Sequence, residues 1–335
     1  MDTPNFVLYG LNRLGPYLID QHLEPVKASG YTTIVIGMLH IGNPAVKDTT
    51  QLGDIIFNGD EPLVIRDREQ PFPLVTGQHR ADCLAWPGRI AALKGQSSSV
   101  TQVFASVGGG GWDYVNRRPL VRDYETIQSI YKANGNTFEN SVLERNFTAF
   151  RKAFPAIDGI DLDCEETYDH DSFVAFCEML IKIGFALTFC PYEQQEQSFW
   201  VNALVALEKR HLMRYVKWWN LQCYDGGRNN EPDRWATAIG AAFKQPPVRD
   251  YIVAGDWAKF WNNDHWDGNC PAFLTQKFSG FSRDCLAGGF IWVMDQIISA
   301  EERAHDPDYK DPCPSETTPR NLAGYLGAMK KGLGV

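Results

Sequence analysis

Eight extended runs alternating with helical patterns along 335 residues predict an α/β fold, a single (β/α)8 TIM barrel spanning 1–335. Three observations carry this. The alternation has the rhythm that parallel strands joined by helical crossovers require. No obvious linker divides the chain, and α/β barrels commonly occupy such a length alone. The polar residues with chemistry to offer fall at the C-terminal ends of the runs, where barrel enzymes keep their sites. A hydrophobic content of 44% supports a sizeable core, and no run is long enough to span a membrane. Net charge −9 and a pI near 5.3 argue against nucleic acid or anionic membrane as partners.

In chain order, residues 5–10 read as strand 1 and 33–38 as strand 2, with a helical pattern over 16–29 ended by Gly30. An irregular stretch, 41–80, follows. Within it Asn58-Gly59 lies between apolar runs, a hairpin signal. This hairpin-containing excursion after strand 2 is expected on the rim that bears the site. A helix is expected over 81–95. Strand 3, 103–107, runs into Gly108-Gly109-Gly110-Gly111-Trp112. Neither a Gly-Lys-Ser/Thr nor a GxGxxG pattern follows, so the glycines point to close backbone approach at a crowded barrel mouth rather than to phosphate. The long connection 113–140 holds a short helix near 124–131. Leu143, Phe147, Phe150 and Phe154 then mark one helical face, stopped by Pro155.

Strand 4 is the stretch Ile157-Asp158-Gly159-Ile160-Asp161-Leu162-Asp163-Cys164-Glu165. Side chains alternate along a strand, so Asp161, Asp163 and Glu165 share one face, ~6.6 Å apart in succession. Acids so placed repel, which favours keeping at least one proton on the cluster near neutral pH, as general acid catalysis needs. Two plainer readings compete. A calcium loop wants its glycine after the acids, but Gly159 precedes them. A solvated edge strand fits alternating acid and aliphatic residues, but the long helical patterns on both sides suggest a central, covered strand.

The second half repeats the alternation. A helix over 171–183 precedes strand 5 at 185–190, and a helix over 198–209 precedes strand 6 within 215–224. Helix 231–243 follows, then strand 7 at 251–254, a helix at 271–280, strand 8 at 289–294 and a last helix near 319–332. Too few residues separate strands 7 and 8 for an α+β insertion domain between them. On strand 6, Gln222 and Tyr224 share a face, with Asp225 at the strand's end.

Asp158-Gly159-Ile160-Asp161-Leu162-Asp163-Cys164-Glu165 resembles the DGxDxDxE signature of glycoside hydrolase family 18, the chitinases and endo-β-N-acetylglucosaminidases, at every specified position. Ser106-Val107-Gly108-Gly109 is similar to the family's SxGG motif on strand 3. The Tyr224-Asp225 pair resembles its strand 6 motif, with Gln222 where many chitinases carry Met. The resemblance implies a (β/α)8 barrel and retaining, substrate-assisted hydrolysis of N-acetylglucosamine-containing oligo- or polysaccharides, with no metal and no cofactor. It makes Glu165 the acid/base, with its pKa raised by its acidic neighbours. Asp163 and Tyr224 would hold the substrate's acetamido group. Asp161 would share a proton with Asp163, kept in place by Ser106 and Tyr9. Asp225 would bind the sugar near the cleaved bond, and Trp292 would floor its subsite. Trp112, Trp218, Trp219, Trp257, Trp261 and Trp266 are candidate sugar platforms, although Trp218 and Trp219 cannot both face the cleft. The resemblance implies a chitinase, with an endo-β-N-acetylglucosaminidase acting on N-glycans or peptidoglycan as the alternative enzyme; the family also contains non-catalytic, lectin-like members that have lost the acid Glu, which is present here. A monomer is expected.

Of eight cysteines, Cys164, Cys177, Cys190 and Cys223 lie in apolar patterns as buried thiols, while Cys270, Cys285 and Cys313 leave room for one bridge. The seven histidines show no metal-ligand spacing; His40, after strand 2, is placed at the surface or the cleft edge. Met1-Asp2-Thr3-Pro4 lacks the basic start and apolar core of a signal peptide. Extracellular action is then expected if a leader has been trimmed, and a cytoplasmic protein otherwise.

Overall fold

The computed structural model describes residues 4–44, 51–57, 64–67, 69–110, 122–246, 248, 251–258, 268–281, 286–303 and 318–335, together with the backbone at 112–113, 118–119, 260–261 and 265–266. Eight parallel strands close into a barrel: β1 (Asn5–Gly10), β2 (Thr33–Ile41), β3 (Gln102–Gly108), β4 (Gly159–Asp163), β5 (Ala186–Phe189), β6 (Val216–Gln222), β7 (Ile252–Trp257) and β8 (Gly288–Trp292). Each pairs with its neighbours in sequence, and β1 pairs with both β2 and β8, which closes the ring. The expected barrel is therefore present.

Strand alternation sorts the side chains into two cores. Phe6, Leu8, Val103, Ala105, Val107, Ile160 and Leu162 face outward and are buried under the helices. Val7, Tyr9, Val35, Phe104, Trp218, Val253 and Phe290 fill the barrel interior. Both sides of each strand are thus buried, as an all-parallel sheet requires.

The helices leading into and out of β4 fix its height. Val142–Ala153 buries Leu143, Phe147 and Phe150, each contributing about 1.5–3 kcal/mol, and Ser141 caps it by accepting from the Glu144 amide. After β4, Asp169 caps His170–Ile183 by accepting from the Ser172 amide, and Gly184, at φ 103°, ends that helix in the left-handed conformation.

Three features differ from the sequence expectation. β2 runs on to Ile41 because its end pairs antiparallel with Ile55–Phe57, which in turn pairs with Val64–Ile65. This sheet extension turns its side chains to the outer core: Phe57 packs on Trp86, and Asp54 is clamped by Arg66 at 2.8 Å. The Asn58-Gly59 turn itself lies outside the described residues. A helix over Met294–Arg303 follows β8 directly; its apolar residues are too few to have stood out. Between β7 and β8 the described residues hold a short antiparallel pair, Phe260–Trp261 with His265–Trp266, and the helix Pro271–Gly280. Among the described residues no helix is long and apolar enough to cross a membrane.

Candidate active site

Parallel register builds the acid row from the bottom upward. Asp161 of β4 stands level with Ser106 of β3 and Thr188 of β5, and both hydroxyls donate to it, at 2.7 and 2.6 Å. Tyr9 reaches its Oδ2 from β1 at 2.9 Å, and Asn220 its Oδ1 from β6 at 3.0 Å. Burial raises the Asp161 pKa, and these four hydrogen bonds oppose the rise. Thr188 and Asn220 were not singled out from sequence. Asn220 is two residues before Gln222 on the same face, and that alternation was the available signal.

One step up, Asp163 is level with Gly108. A Cβ on Gly108 would stand 2.1 Å from the Asp163 carbonyl oxygen, and the Gly109 amide donates to that oxygen at 2.8 Å. Gly108 and Gly109 both have positive φ, 111° and 88°. The glycine run therefore serves close approach, as its sequence context suggests.

Above the strand end stands Glu165, half-buried. Nε2 of Gln222 lies 3.0 Å from Asp163 Oδ1 and 3.0 Å from Glu165 Oε1, and the Asp163 and Glu165 carboxyls are hydrogen-bonded to each other, sharing a proton. The Asp163 carboxyl is held well above the usual range, first by burial and then by the charges of Glu165 and Asp161. Glu165 is raised too. Burial leads, with Asp225 and Glu193 adding to it, while the hydrogen bonds from Gln222 and Asp163 pull the other way. One sequence expectation is corrected here: desolvation, not the acidic neighbours, is the main cause for Glu165. The carboxyl–carboxyl hydrogen bond within the row joins Asp163 and Glu165, while Asp161 takes four donors.

The walls come from β6, β7 and β8. Tyr224 is buried beside Cys190 and stacks on Trp257, ring centroids 5.4 Å apart and planes at 19°; no described residue is hydrogen-bonded to its hydroxyl. Nearness to Cys190, Asp163 and Glu165 adds to the burial that raises its pKa. Trp292 is half-buried at the mouth, 5.5 Å from the Tyr9 ring. Asp225 is exposed at the start of a 3-10 turn. Cys190, which touches Tyr9 at 3.6 Å and is hydrogen-bonded to Asp163, was read from sequence only as a buried thiol.

Other candidates fall elsewhere. Trp218 fills the barrel interior against Phe104, and Trp219 lies in the outer core against Phe189 and Trp235, so neither offers an open face. The side chains of Trp112, Trp261 and Trp266 lie outside the described residues. His40 pairs with Asp123 at 2.8 Å. Cys270 is disulfide-bonded, whereas Cys285 and Cys313 lie outside the described residues. Among the described residues no group of three His, Cys, Asp or Glu is arranged to hold a metal.

No family model and no curated protein matches the sequence. Solved structures do. The catalytic domain of a hyperthermophilic chitinase from Pyrococcus furiosus aligns with TM-score 0.57 at 10% identity, over 99% of this chain and 96% of that one. A GH18 chitinase from Flavobacterium johnsoniae aligns with TM-score 0.54 at 14% identity, over 99% and 94%. YKL-39, solved in the presence of chitooligosaccharides (GlcNAc4), aligns with TM-score 0.53 at 10% identity, over 99% and 100%. The chain has the fold of the glycoside hydrolase family 18 chitinases.

Proposed function

We propose that the protein is a retaining endo-glycosidase of chitinase type, hydrolysing β-1,4 bonds between N-acetylglucosamine units by substrate-assisted catalysis. The observation that carries this is the Asp163–Gln222–Glu165 arrangement with the Tyr224 hydroxyl nearby. A protonated Glu165 gives its proton to the glycosidic oxygen as the bond from that oxygen to the anomeric carbon breaks. The substrate's acetamido oxygen bonds to the anomeric carbon from the opposite side, giving an oxazolinium ion. Asp163, as carboxylate, orients the acetamido N–H and offsets the positive charge, and Tyr224 donates to the acetamido oxygen. Water then adds at the anomeric carbon as its bond to the acetamido oxygen breaks, Glu165 takes the water's proton, and the amide is restored with the configuration retained. Trp292 stacks under the sugar, and Asp225 binds near the cleaved bond. Residues 258–287 offer no room for a large added domain on the cleft wall, which favours endo action on an accessible chain.

YKL-39, whose fold this chain shares, was solved in the presence of GlcNAc4, which supports an N-acetylglucosamine oligomer as the substrate class. The test is incubation of wild type and Glu165→Gln with chitotetraose and with a high-mannose glycopeptide. Cleavage of chitotetraose by wild type alone is the expected result. Cleavage confined to the glycopeptide moves the assignment to an endo-β-N-acetylglucosaminidase. Binding without turnover favours a lectin. Turnover unchanged in Glu165→Gln removes the proposed acid.

A further inference from the structure

Behind the Tyr224–Trp257 wall, on the outer side of the barrel, lies an ion pair outside the acid row, its carboxylate buried and its ammonium partly exposed. Lys277, from the helix Pro271–Gly280, donates to Oδ1 of Asp256 at 2.8 Å and to the Cys223 carbonyl at 2.6 Å. Asp256 is fully buried and also accepts from Asn269 at 2.9 and 2.8 Å and from the Trp257 amide at 2.9 Å. Asn269 is fixed in turn by Tyr325, whose hydroxyl donates to its carbonyl at 3.1 Å. One ammonium thus joins β7 to the residue just past the end of β6, in each case the residue just before a stacked aromatic: Cys223 before Tyr224, and Asp256 before Trp257. Strand alternation turns Cys223 and Asp256 outward and Tyr224 and Trp257 inward, so the clamp acts on the wall without touching the cleft.

We infer that Lys277 and Asp256 are positioning residues that set the Tyr224–Trp257 stack, and through it the Tyr224 hydroxyl, against Asp163 and Glu165. The consequence for activity rests on the glycosidase reading above; the placement of the stack does not. Desolvating a charge pair is costly, and replacing both members by neutral groups is often close to neutral for stability. A pair placed here is therefore explained better by what it holds than by what it contributes to folding.

Removing Lys277 alone leaves a buried, unpaired Asp256 and endangers the fold. The informative variant is the full chain carrying Asp256→Asn together with Lys277→Met, compared with Trp257→Leu, which removes the stack outright. Far-UV circular dichroism checks that each folds. The double variant is expected to lose the near-UV circular dichroism that Trp257→Leu loses, and its kcat on chitotetraose is expected to fall by about 10–100-fold with KM changed less than about threefold. A double variant that folds and keeps both the wild-type near-UV spectrum and wild-type kcat overturns the inference. If wild type cleaves no chitotetraose, the glycosidase reading fails, and the near-UV comparison alone decides the positioning role: loss supports it and retention overturns it.

Discussion

An ideal Cβ on Gly110 would stand 1.9 Å from Oε2 of Glu165. The constraint is one of space, so alanine there must displace a carboxylate that Gln222 holds at 3.0 Å. A carboxylate is the flexible end of its side chain, and the fold should survive the push. Gly110→Ala is therefore expected to melt within about 2 °C of wild type and to lose about 10–100-fold in kcat on chitotetraose. Thermal melts with steady-state kinetics check both. Wild-type kcat would mean that the carboxylate serves equally well from a displaced position.

The Glu165 pKa is raised by burial first and by Asp225 and Glu193 next. As the acid of the first step Glu165 must carry its proton, so activity is lost as pH rises through that raised pKa. The alkaline limb of kcat/KM should lie above the ordinary Glu value of about 4.3. Glu193→Gln removes one of the charges that favour the proton, and the limb should move to lower pH. A limb that stays in place or moves upward would detach Glu165 from the profile.

The barrel was legible in the sequence because each strand needs two buried faces and each crossover needs an apolar stripe, and both leave periodic marks. The acid row was legible for the same reason: period two puts Asp161, Asp163 and Glu165 on one face whatever surrounds them. Thr188 was not, since its role depends on register between β4 and β5, which no local pattern records. The same holds for Cys190 at the end of β5 and for the Lys277 clamp, which joins residues far apart in the chain. The leading cause of the Glu165 shift was misread because neighbouring charges are visible in a sequence and desolvation is not.

Asp161, Asp163 and Glu165 all have pKa values raised by folding. Between the ordinary carboxylate values and the raised ones, the folded chain binds more protons than the unfolded chain, and stability falls as pH rises through that window. The site is thus kept at a cost to the fold. Glu165→Gln abolishes one of these ionisations and should raise Tm by about 1–3 °C at pH 8, with the gain shrinking as pH falls through the ordinary Glu value of about 4.3 and the unfolded acid also takes up its proton. Calorimetry across pH checks it. A gain independent of pH would point to packing instead.

Asp161 receives two hydroxyls on Oδ2, from Tyr9 and Ser106, and a hydroxyl and an amide on Oδ1, from Thr188 and Asn220. Hydroxyls can reverse from donor to acceptor, whereas the Asn220 NH2 cannot. Asp161→Asn can therefore keep its oxygen toward Asn220 and turn its own NH2 toward the Tyr9 and Ser106 oxygens, so the loss should be modest, about 1–2 kcal/mol. Asp161→Leu has the right bulk but no acceptor, and it strands four buried donors; about 3–5 kcal/mol is expected. Urea denaturation of the two variants separates these cases. Equal losses would show that the four donors find other partners when the carboxylate is gone, and that Asp161 is not the hub on which the lower half of the row is built.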